Sequence, residues 1–138
     1  MHIFFVNEEE AKQLSRQPTA LQAARVISHW GPSVVVDKQG EHGALMREGG
    51  RCYPFPAYPV ESVKDPTGAG DTFAGGFMGY MASVGGYGDV RHLKRAMLYG
   101  SAMASFNVED FSTRRLENLK RAALEERFAD FIASLQVR

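Results

Sequence analysis

The sequence predicts an α/β protein with layered strands and helices, in which ligands bind beyond the carboxyl ends of the strands. Three observations support this fold class. Short runs of β-forming apolar residues alternate with helical patterns in the N-terminal part of the chain. A glycine-punctuated hairpin follows, and three further helical patterns complete the sequence.

The composition of the 138 residues is that of a globular protein. Sixteen basic side chains balance sixteen acidic ones, and 44% of the residues are hydrophobic, which is typical neither of a disordered chain nor of a nucleic-acid binder. At this length we expect one domain over residues 1–138 with a single core.

No apolar run approaches the roughly 20 residues of a membrane span, and the N-terminus lacks a signal-peptide pattern, so we expect a cytoplasmic protein without a membrane partner. Cys52 is the single cysteine, which excludes an internal disulfide and indicates a packing residue.

The first predicted elements are a strand and a capped helix. Residues His2–Val6 form a continuous apolar run that predicts a strand buried on both faces, as in a parallel sheet. Asn7 is a good N-cap and Glu10 follows it three residues later. This capping-box pattern predicts a helix through Leu14.

A second helix and a second buried strand follow. Thr19 can cap a helix whose apolar residues recur at helical spacing, and Gly31–Pro32 ends that helix near Trp30. The run Ser33–Val36 then predicts another buried strand.

An antiparallel hairpin is predicted next, because residues 44–47 and 51–55 flank Gly49–Gly50. Prolines at positions 54, 56 and 59 confine the second arm to a sheet edge or a loop, since proline lacks the amide hydrogen that pairing requires.

Three helices are predicted in the C-terminal part. A glycine-rich turn over residues 65–71 leads into a helix through Val84, whose many small residues permit close packing. Asp89 caps the next helix, which extends to about residue 106. The last helix, over roughly residues 119–135, places four apolar side chains inward: Leu124, Phe128, Phe131 and Leu135.

The turn before the first of these helices carries the chemistry. Glycines at 68 and 70 let the backbone approach a phosphate, and the helix that begins there presents amide hydrogens and the positive end of its dipole. Asp71 is the anomaly, because a carboxylate beside an anion site is useful chiefly as a base for a nucleophile that attacks the anion. In the competing interpretation, Asp71 only stabilises the helix N-terminus and the glycines only permit packing.

Other glycine-rich nucleotide motifs do not fit. No G-x-x-x-x-G-K-[ST] pattern occurs, and Phe73 stands where the dinucleotide fingerprint that begins at Gly68 requires glycine or alanine. The four histidines lack the spacing of a zinc site.

The stretch from Asp65 to Phe77 closely resembles the C-terminal signature of the PfkB carbohydrate kinase family, the ribokinase-like sugar and nucleoside kinases. Three further stretches resemble that family: Asn7-x-x-Glu10, residues 34–44 with their Gly-x-x-Gly loop, and residues 100–105. The resemblance implies a three-layer ribokinase-like (Rossmann-like) sheet with flanking helices and a small antiparallel hairpin. It covers only the C-terminal portion of a typical member, so this fold is incomplete relative to the family.

The resemblance also implies a reaction, the ATP-dependent transfer of a phosphoryl group to a hydroxyl of a sugar or nucleoside, with Mg²⁺ bridging the phosphates. Asp71 is then the base for the acceptor hydroxyl. The amides of Gly68, Ala69 and Gly70 receive the charge of the transferring group.

The same resemblance assigns ligand-binding residues. Those implied for the nucleotide are Asn7, Lys38, Gly40, Glu41, Gly43 and Ser101. Glu10 is implied for Mg²⁺, largely through water, and Asp65 and Thr67 for a monovalent cation such as K⁺. Each has a plainer interpretation: a capping box for Asn7 and Glu10, an Asp-Pro turn for Asp65, and a solvated turn residue for Lys38.

Three hypotheses about the whole chain stay open at this stage. It is a kinase fragment that needs an N-terminal half, a nucleotide-binding pseudo-kinase module that acts in assembly or regulation, or a homo-oligomer that covers a sheet edge with another copy. The motifs of this sequence do not identify the acceptor.

Overall fold

The computed structural model describes residues 2–61, 68–86, 89–109 and 121–137, which belong to two compact units, residues 1–57 and 58–138. The first unit is a sheet with two helices, and the described part of the second unit is helical, so the predicted α/β class is confirmed. Among these residues, no helix has the length and apolar character that crossing a bilayer requires.

The first unit contains a mixed four-stranded sheet in the order β1-β2-β3-β4. Strands β1 and β2 are parallel, and β2, β3 and β4 form antiparallel pairs, which confirms the predicted hairpin. The elements are β1 (Ile3–Asn7), α1 (Glu8–Ser15), α2 (Ala20–Ser28), β2 (Val34–Lys38), β3 (Ala44–Glu48) and β4 (Arg51–Phe55).

One face of this sheet packs against α1 and α2. Val6 and Val35 are buried there against the small residues of the two helices, of which Ala11, Ala23 and Ala24 have no exposed surface. Alanines let a helix lie close to a sheet, because they add little bulk at the contact. The Thr19 cap of α2 is confirmed, since its hydroxyl accepts a hydrogen bond from the Gln22 amide at 3.1 Å.

The predicted burial of the first strand on both faces is wrong. Ile3, Phe4 and Phe5 are half-buried, and only Val6 in β1 is buried. Within the described residues β1 pairs with β2 alone, and an edge strand is covered less completely than a central one. The edge position predicted for the proline-containing arm is confirmed, because β4 with Pro54 lies at the other end of the strand order.

The second unit contains α3 (Ala69–Ser83), α4 (Val90–Val108) and α5 (Arg121–Leu135). Helices α3 and α4 approach each other through glycines: a Cβ on Gly76 would lie 3.1 Å from the Gly100 Cα, and a Cβ on Gly100 would lie 2.7 Å from the Phe73 carbonyl oxygen. The close packing predicted from the small residues of α3 is therefore confirmed. The predicted Asp89 cap of α4 is also confirmed, by a 2.8 Å bond from the Arg91 amide.

Helix α5 packs on α4 through its apolar face. Leu124, Phe128 and Phe131 are buried as predicted, whereas Leu135 is 38% exposed because it is the last residue of the helix.

The Arg127 guanidinium joins α5 to α4. It lies 3.6 Å from the centre of the Phe106 ring and 4.9 Å from that of Tyr58, and it donates hydrogen bonds to Ser105 and Glu109. The Arg127 guanidinium thus holds the two helices together by both cation–π contacts and charge-assisted hydrogen bonds.

The contact between α3 and α4 predicts the effect of a single methyl group. Gly100→Ala should lower the free energy of unfolding by about 1–3 kcal/mol, because the new Cβ has no room beside the Phe73 carbonyl. Gly79→Ala is the matched control: a Cβ there meets nothing within 4 Å, and alanine is favoured over glycine in a helix by about 1 kcal/mol. Denaturant unfolding followed by circular dichroism measures both, and equal effects would contradict the packing argument.

Candidate functional site

The turn that opens α3 is built on Gly68. Its φ of 82° lies in the left-handed region that favours glycine, and α3 begins at the next residue. The Gly68 carbonyl accepts the first helical hydrogen bond, from the Thr72 amide at 2.9 Å. The local geometry is thus a helix N-terminus entered through a glycine, which is the arrangement that attracts anions.

Asp71 lies in the first turn of α3 and is exposed. The four residues predicted for catalysis, Gly68 to Asp71, therefore occupy one helical turn with the carboxylate in contact with solvent. A carboxylate at this position also stabilises the helix dipole, so the geometry suits both interpretations, and the catalytic roles stay predictions. The residues predicted for a monovalent cation, Asp65 and Thr67, lie outside the described residues.

Asn107 lies beside this turn, and the sequence did not indicate it. It lies near the end of α4 and is only 3% exposed, and its Nδ2 atom is 3.8 Å from the position that a Cβ on Gly68 would take. The carboxyl end of α4 thus lies beside the amino end of α3. A single asparagine within a helix carries no local signal of this long-range neighbour, so the sequence could not indicate it.

Ser101 has a structural partner. Its hydroxyl oxygen accepts a hydrogen bond from the Tyr58 amide at 3.1 Å, and the side chain is half-buried. The predicted contact of Ser101 with a nucleotide stays a prediction.

In the first unit, the predicted nucleotide residues cluster at the carboxyl ends of the parallel strands. Asn7 and Lys38 end β1 and β2 and are register partners. The capping box is confirmed: the Asn7 Oδ1 accepts from the Glu10 amide at 2.8 Å, and the Asn7 amide donates to the Glu10 Oε1 at 3.3 Å. Ligands of α/β proteins bind at such strand ends, so the position fits the predicted role of these residues without testing it.

The Gly-x-x-Gly loop is a tight turn. The Gly43 amide donates to the Gly40 carbonyl at 3.1 Å and closes a 3₁₀ turn over Gly40–His42, and the Gln39 amide donates to the Gly43 carbonyl at 2.8 Å across its base. Gly43 has a φ of 96°, and a Cβ there would lie 2.0 Å from the Phe55 carbonyl oxygen, so only glycine fits. The loop thereby presents Gly40 and the exposed Glu41 beyond the end of β2.

The described residues contain no group of three or more His, Cys, Asp or Glu side chains arranged to hold a metal ion. Glu10 as a ligand of Mg²⁺ therefore stays a prediction, in keeping with an ion that retains much of its water shell.

Asp37 is a second residue that the sequence reasoning missed. It has no exposed surface, and neither carboxyl oxygen has a hydrogen-bond partner among the described residues. Burial raises the pKa of Asp37 to about 6; the charge of Glu8 adds to the rise, and Lys12, which forms a 2.8 Å ion pair with Glu8, opposes it. The sequence pattern predicts that this strand ends at Val36, whereas β2 continues to Lys38 and thereby draws Asp37 into the interior.

Comparison with known proteins identifies the family of this chain. The pfkB family carbohydrate kinase model matches residues 1–119, so the chain belongs to that family, as the resemblance of its motifs predicted. A cytidine kinase of Thermococcus kodakarensis is 42% identical over 80 residues, which are 56% of this chain and 28% of that protein. The chain therefore spans less than a third of this relative.

Solved structures show the same fold. An aminoimidazole riboside kinase of Salmonella enterica, crystallised with aminoimidazole riboside and an ATP analogue, superposes with a TM-score of 0.79 and 26% identity over 91% of this chain and 41% of that chain. A fructokinase of Vibrio cholerae O395, crystallised with fructose, ADP and calcium, has a TM-score of 0.81 and 20% identity over 91% and 40% of the two chains. The predicted ribokinase-like fold, incomplete relative to the family, is confirmed.

The buried carboxyl of Asp37 predicts a pH dependence of stability. The folded chain holds its proton up to a pH of about 6, whereas the unfolded chain releases it near the ordinary value of 3.8. The folded state binds more protons in that window, so this group makes stability fall as pH rises from about 4 through 6, by about 1–3 kcal/mol in total.

Asp37→Asn removes the charge at every pH. We expect it to unfold with nearly the wild-type free energy at pH 3.5, below both pKa values, and with about 1–3 kcal/mol more at pH 8. Thermal or urea unfolding at the two pH values measures the difference, and Glu41→Gln, at an exposed carboxylate of the same unit, is the control. A difference between Asp37→Asn and the wild type that is independent of pH would refute this prediction.

Proposed function

We propose that the chain is part of an ATP-dependent kinase that phosphorylates a hydroxyl group of a sugar or nucleoside, with Asp71 as the base. One observation carries the proposal: an exposed carboxylate lies in the first turn of a helix that is entered through a left-handed glycine. The turn would hold the anion, and the carboxylate would act on the group that attacks it.

In this mechanism the acceptor hydroxyl gives its proton to a carboxylate oxygen of Asp71 while its oxygen bonds to the γ-phosphorus. The bond from that phosphorus to the bridging oxygen breaks, and ADP leaves. The amides of Gly68, Ala69 and Gly70 would stabilise the charge on the transferring oxygens. Positioned charge of this kind is the main requirement of phosphoryl transfer, which asks for little covalent help from the protein.

The nucleotide would be bound at the carboxyl ends of β1 and β2. The loop from Lys38 to Gly43 lies there with Asn7, and Glu10 follows in the first turn of α1. Mg²⁺ would supply charge neutralisation of the phosphates, with Glu10 acting through coordinated water. Asp65 and Thr67 remain proposed ligands of a monovalent cation.

The acceptor class is inferred from named relatives. A cytidine kinase and an aminoimidazole riboside kinase both act on a ribose-bearing molecule by their names, and both are at least one quarter identical to this chain. A nucleoside or a sugar is therefore the acceptor to test first.

A second candidate function has its own support. The chain spans 28% of the cytidine kinase and about 40% of the solved kinases, so the groups that select the acceptor need not all be present in it. The alternative is that these 138 residues bind MgATP without turnover and serve assembly or regulation. Calorimetry with MgATP and a coupled assay over pentoses, hexoses and nucleosides separate the two, because binding without turnover supports the alternative.

Asp71→Asn tests the proposed base. We expect kcat to fall by about 10²–10⁴ while the Kd for MgATP changes by less than about threefold, since the amide keeps the shape but accepts no proton. Asp130→Asn, at another exposed carboxylate of the second unit, should leave both values unchanged. Normal turnover in Asp71→Asn, or an equal loss in Asp130→Asn, would rule out the assignment.

A further inference from the structure

A cavity of about 300 Å³ lies in the first unit, between α2 and the β3–β4 hairpin. Its lining consists of Leu21, Gln22, Arg25, Arg47, Gly50 and Cys52. Two of these six residues are arginines and none is acidic. We call this cavity the arginine pocket.

Neutral groups hold Arg47 in place. Its Nε donates to the Ser28 hydroxyl at 3.1 Å, and its Nη1 donates to the Cys52 sulfur at 3.6 Å. Because neither partner is charged, these contacts orient the guanidinium without neutralising it. The side chain is half-buried, so the orientation costs little further entropy when a ligand binds.

Arg25 reaches the same cavity from α2. Leu21, Gln22 and Arg25 lie on one face of the helix by their spacing. Among the described residues, neither Arg25 nor Arg47 forms an ion pair with an acid. The sequence agrees, since residues 11–36, which include all of α2, contain no Asp or Glu.

Gln22 adds a neutral donor. Its Oε1 accepts a hydrogen bond from the Thr19 hydroxyl at 3.0 Å, which leaves the amide nitrogen to donate. The guanidinium groups of Arg25 and Arg47 and the amide of Gln22 are hydrogen-bond donors that match the oxygens of a phosphate group. Leu21 adds an apolar side to the cavity.

We propose that the arginine pocket is a binding site for a phosphate group, either inorganic phosphate or the phosphate of a small monoester. The volume of about 300 Å³ is at the lower limit of ligand pockets, which suits phosphate or a small phosphorylated metabolite.

The arginine pocket is separate from the proposed nucleotide loop of the same unit. Arg47 is the register partner of Val35, whereas Lys38, where the loop begins, is the partner of Ala44. Three residues along a strand are about 10 Å. The pocket therefore lies toward the amino end of β2, and the proposed nucleotide site lies beyond its carboxyl end. Failure of one binding proposal would leave the other untouched.

Cys52 gives a direct readout, because it lines the pocket and is the single cysteine of the chain. The full chain is alkylated with neutral iodoacetamide in the presence of increasing inorganic phosphate or glycerol 3-phosphate, with sodium chloride at equal ionic strength as the reference. We expect each phosphate compound to slow alkylation by at least about threefold at saturation. Tighter protection by the monoester identifies a metabolite, and equal protection identifies phosphate itself.

The variants Arg25→Gln and Arg47→Gln should each weaken this protection by about tenfold in apparent Kd, as the loss of a charge-assisted hydrogen bond predicts. Arg51→Gln is the matched control. It removes the same charge from the position of β4 next to Cys52, and alternation along a strand directs its side chain to the opposite face of the sheet. Each variant is compared with itself in the absence of phosphate, because Arg47 also contacts the sulfur.

Protection that chloride reproduces, or that survives in Arg25→Gln, would overturn the proposal. So would an equal loss in Arg51→Gln. If Arg47→Gln fails to fold by circular dichroism, the exposed Arg25 alone decides the question.

Discussion

The close approach of α3 and α4 is the contact on which the candidate catalytic turn depends. Gly76 meets Gly100 midway along the pair, and Asn107 near the end of α4 lies beside Gly68 at the start of α3. The two helices are therefore antiparallel, and their contact sets the direction of the helix whose first turn carries Asp71. A helix dipole acts only near its end, so an anion site there requires that the helix be held firmly.

In the first unit, the two parallel strands end beside polar residues. Asn7 turns β1 directly into α1 through its capping box, and the loop after β2 is tightened by Gly43 against the β4 backbone. Asp37 is the exception, a buried carboxyl without a hydrogen-bond partner among the described residues, immediately before that loop. An unpartnered buried carboxyl costs stability, and such local costs are found more often beside functional sites than elsewhere in a core.

Much of the secondary structure could be predicted because its signals are local. Thr19 and Asp89 cap helices with their own side chains, and Gly49–Gly50 separate the arms of a hairpin. The errors concern burial: β1 is half-buried because it lies at an edge, and Leu135 is exposed because its helix ends there. Burial depends on which elements become neighbours, and no short window of sequence contains that information.

The sequence by itself determined the class of fold, the family and the residues of the turn from Gly68 to Asp71, because glycine spacing and an acid at a helix start are properties of adjacent residues. Only the tertiary structure placed Asn107 beside Gly68, drew Asp37 into the interior, and put Arg25 and Arg47 around one cavity. Asn107 and Gly68, like Arg25 and Arg47, are distant in sequence, and they meet only because packed helices and strand register bring them together. The burial of Asp37 likewise depends on the elements that pack around β2.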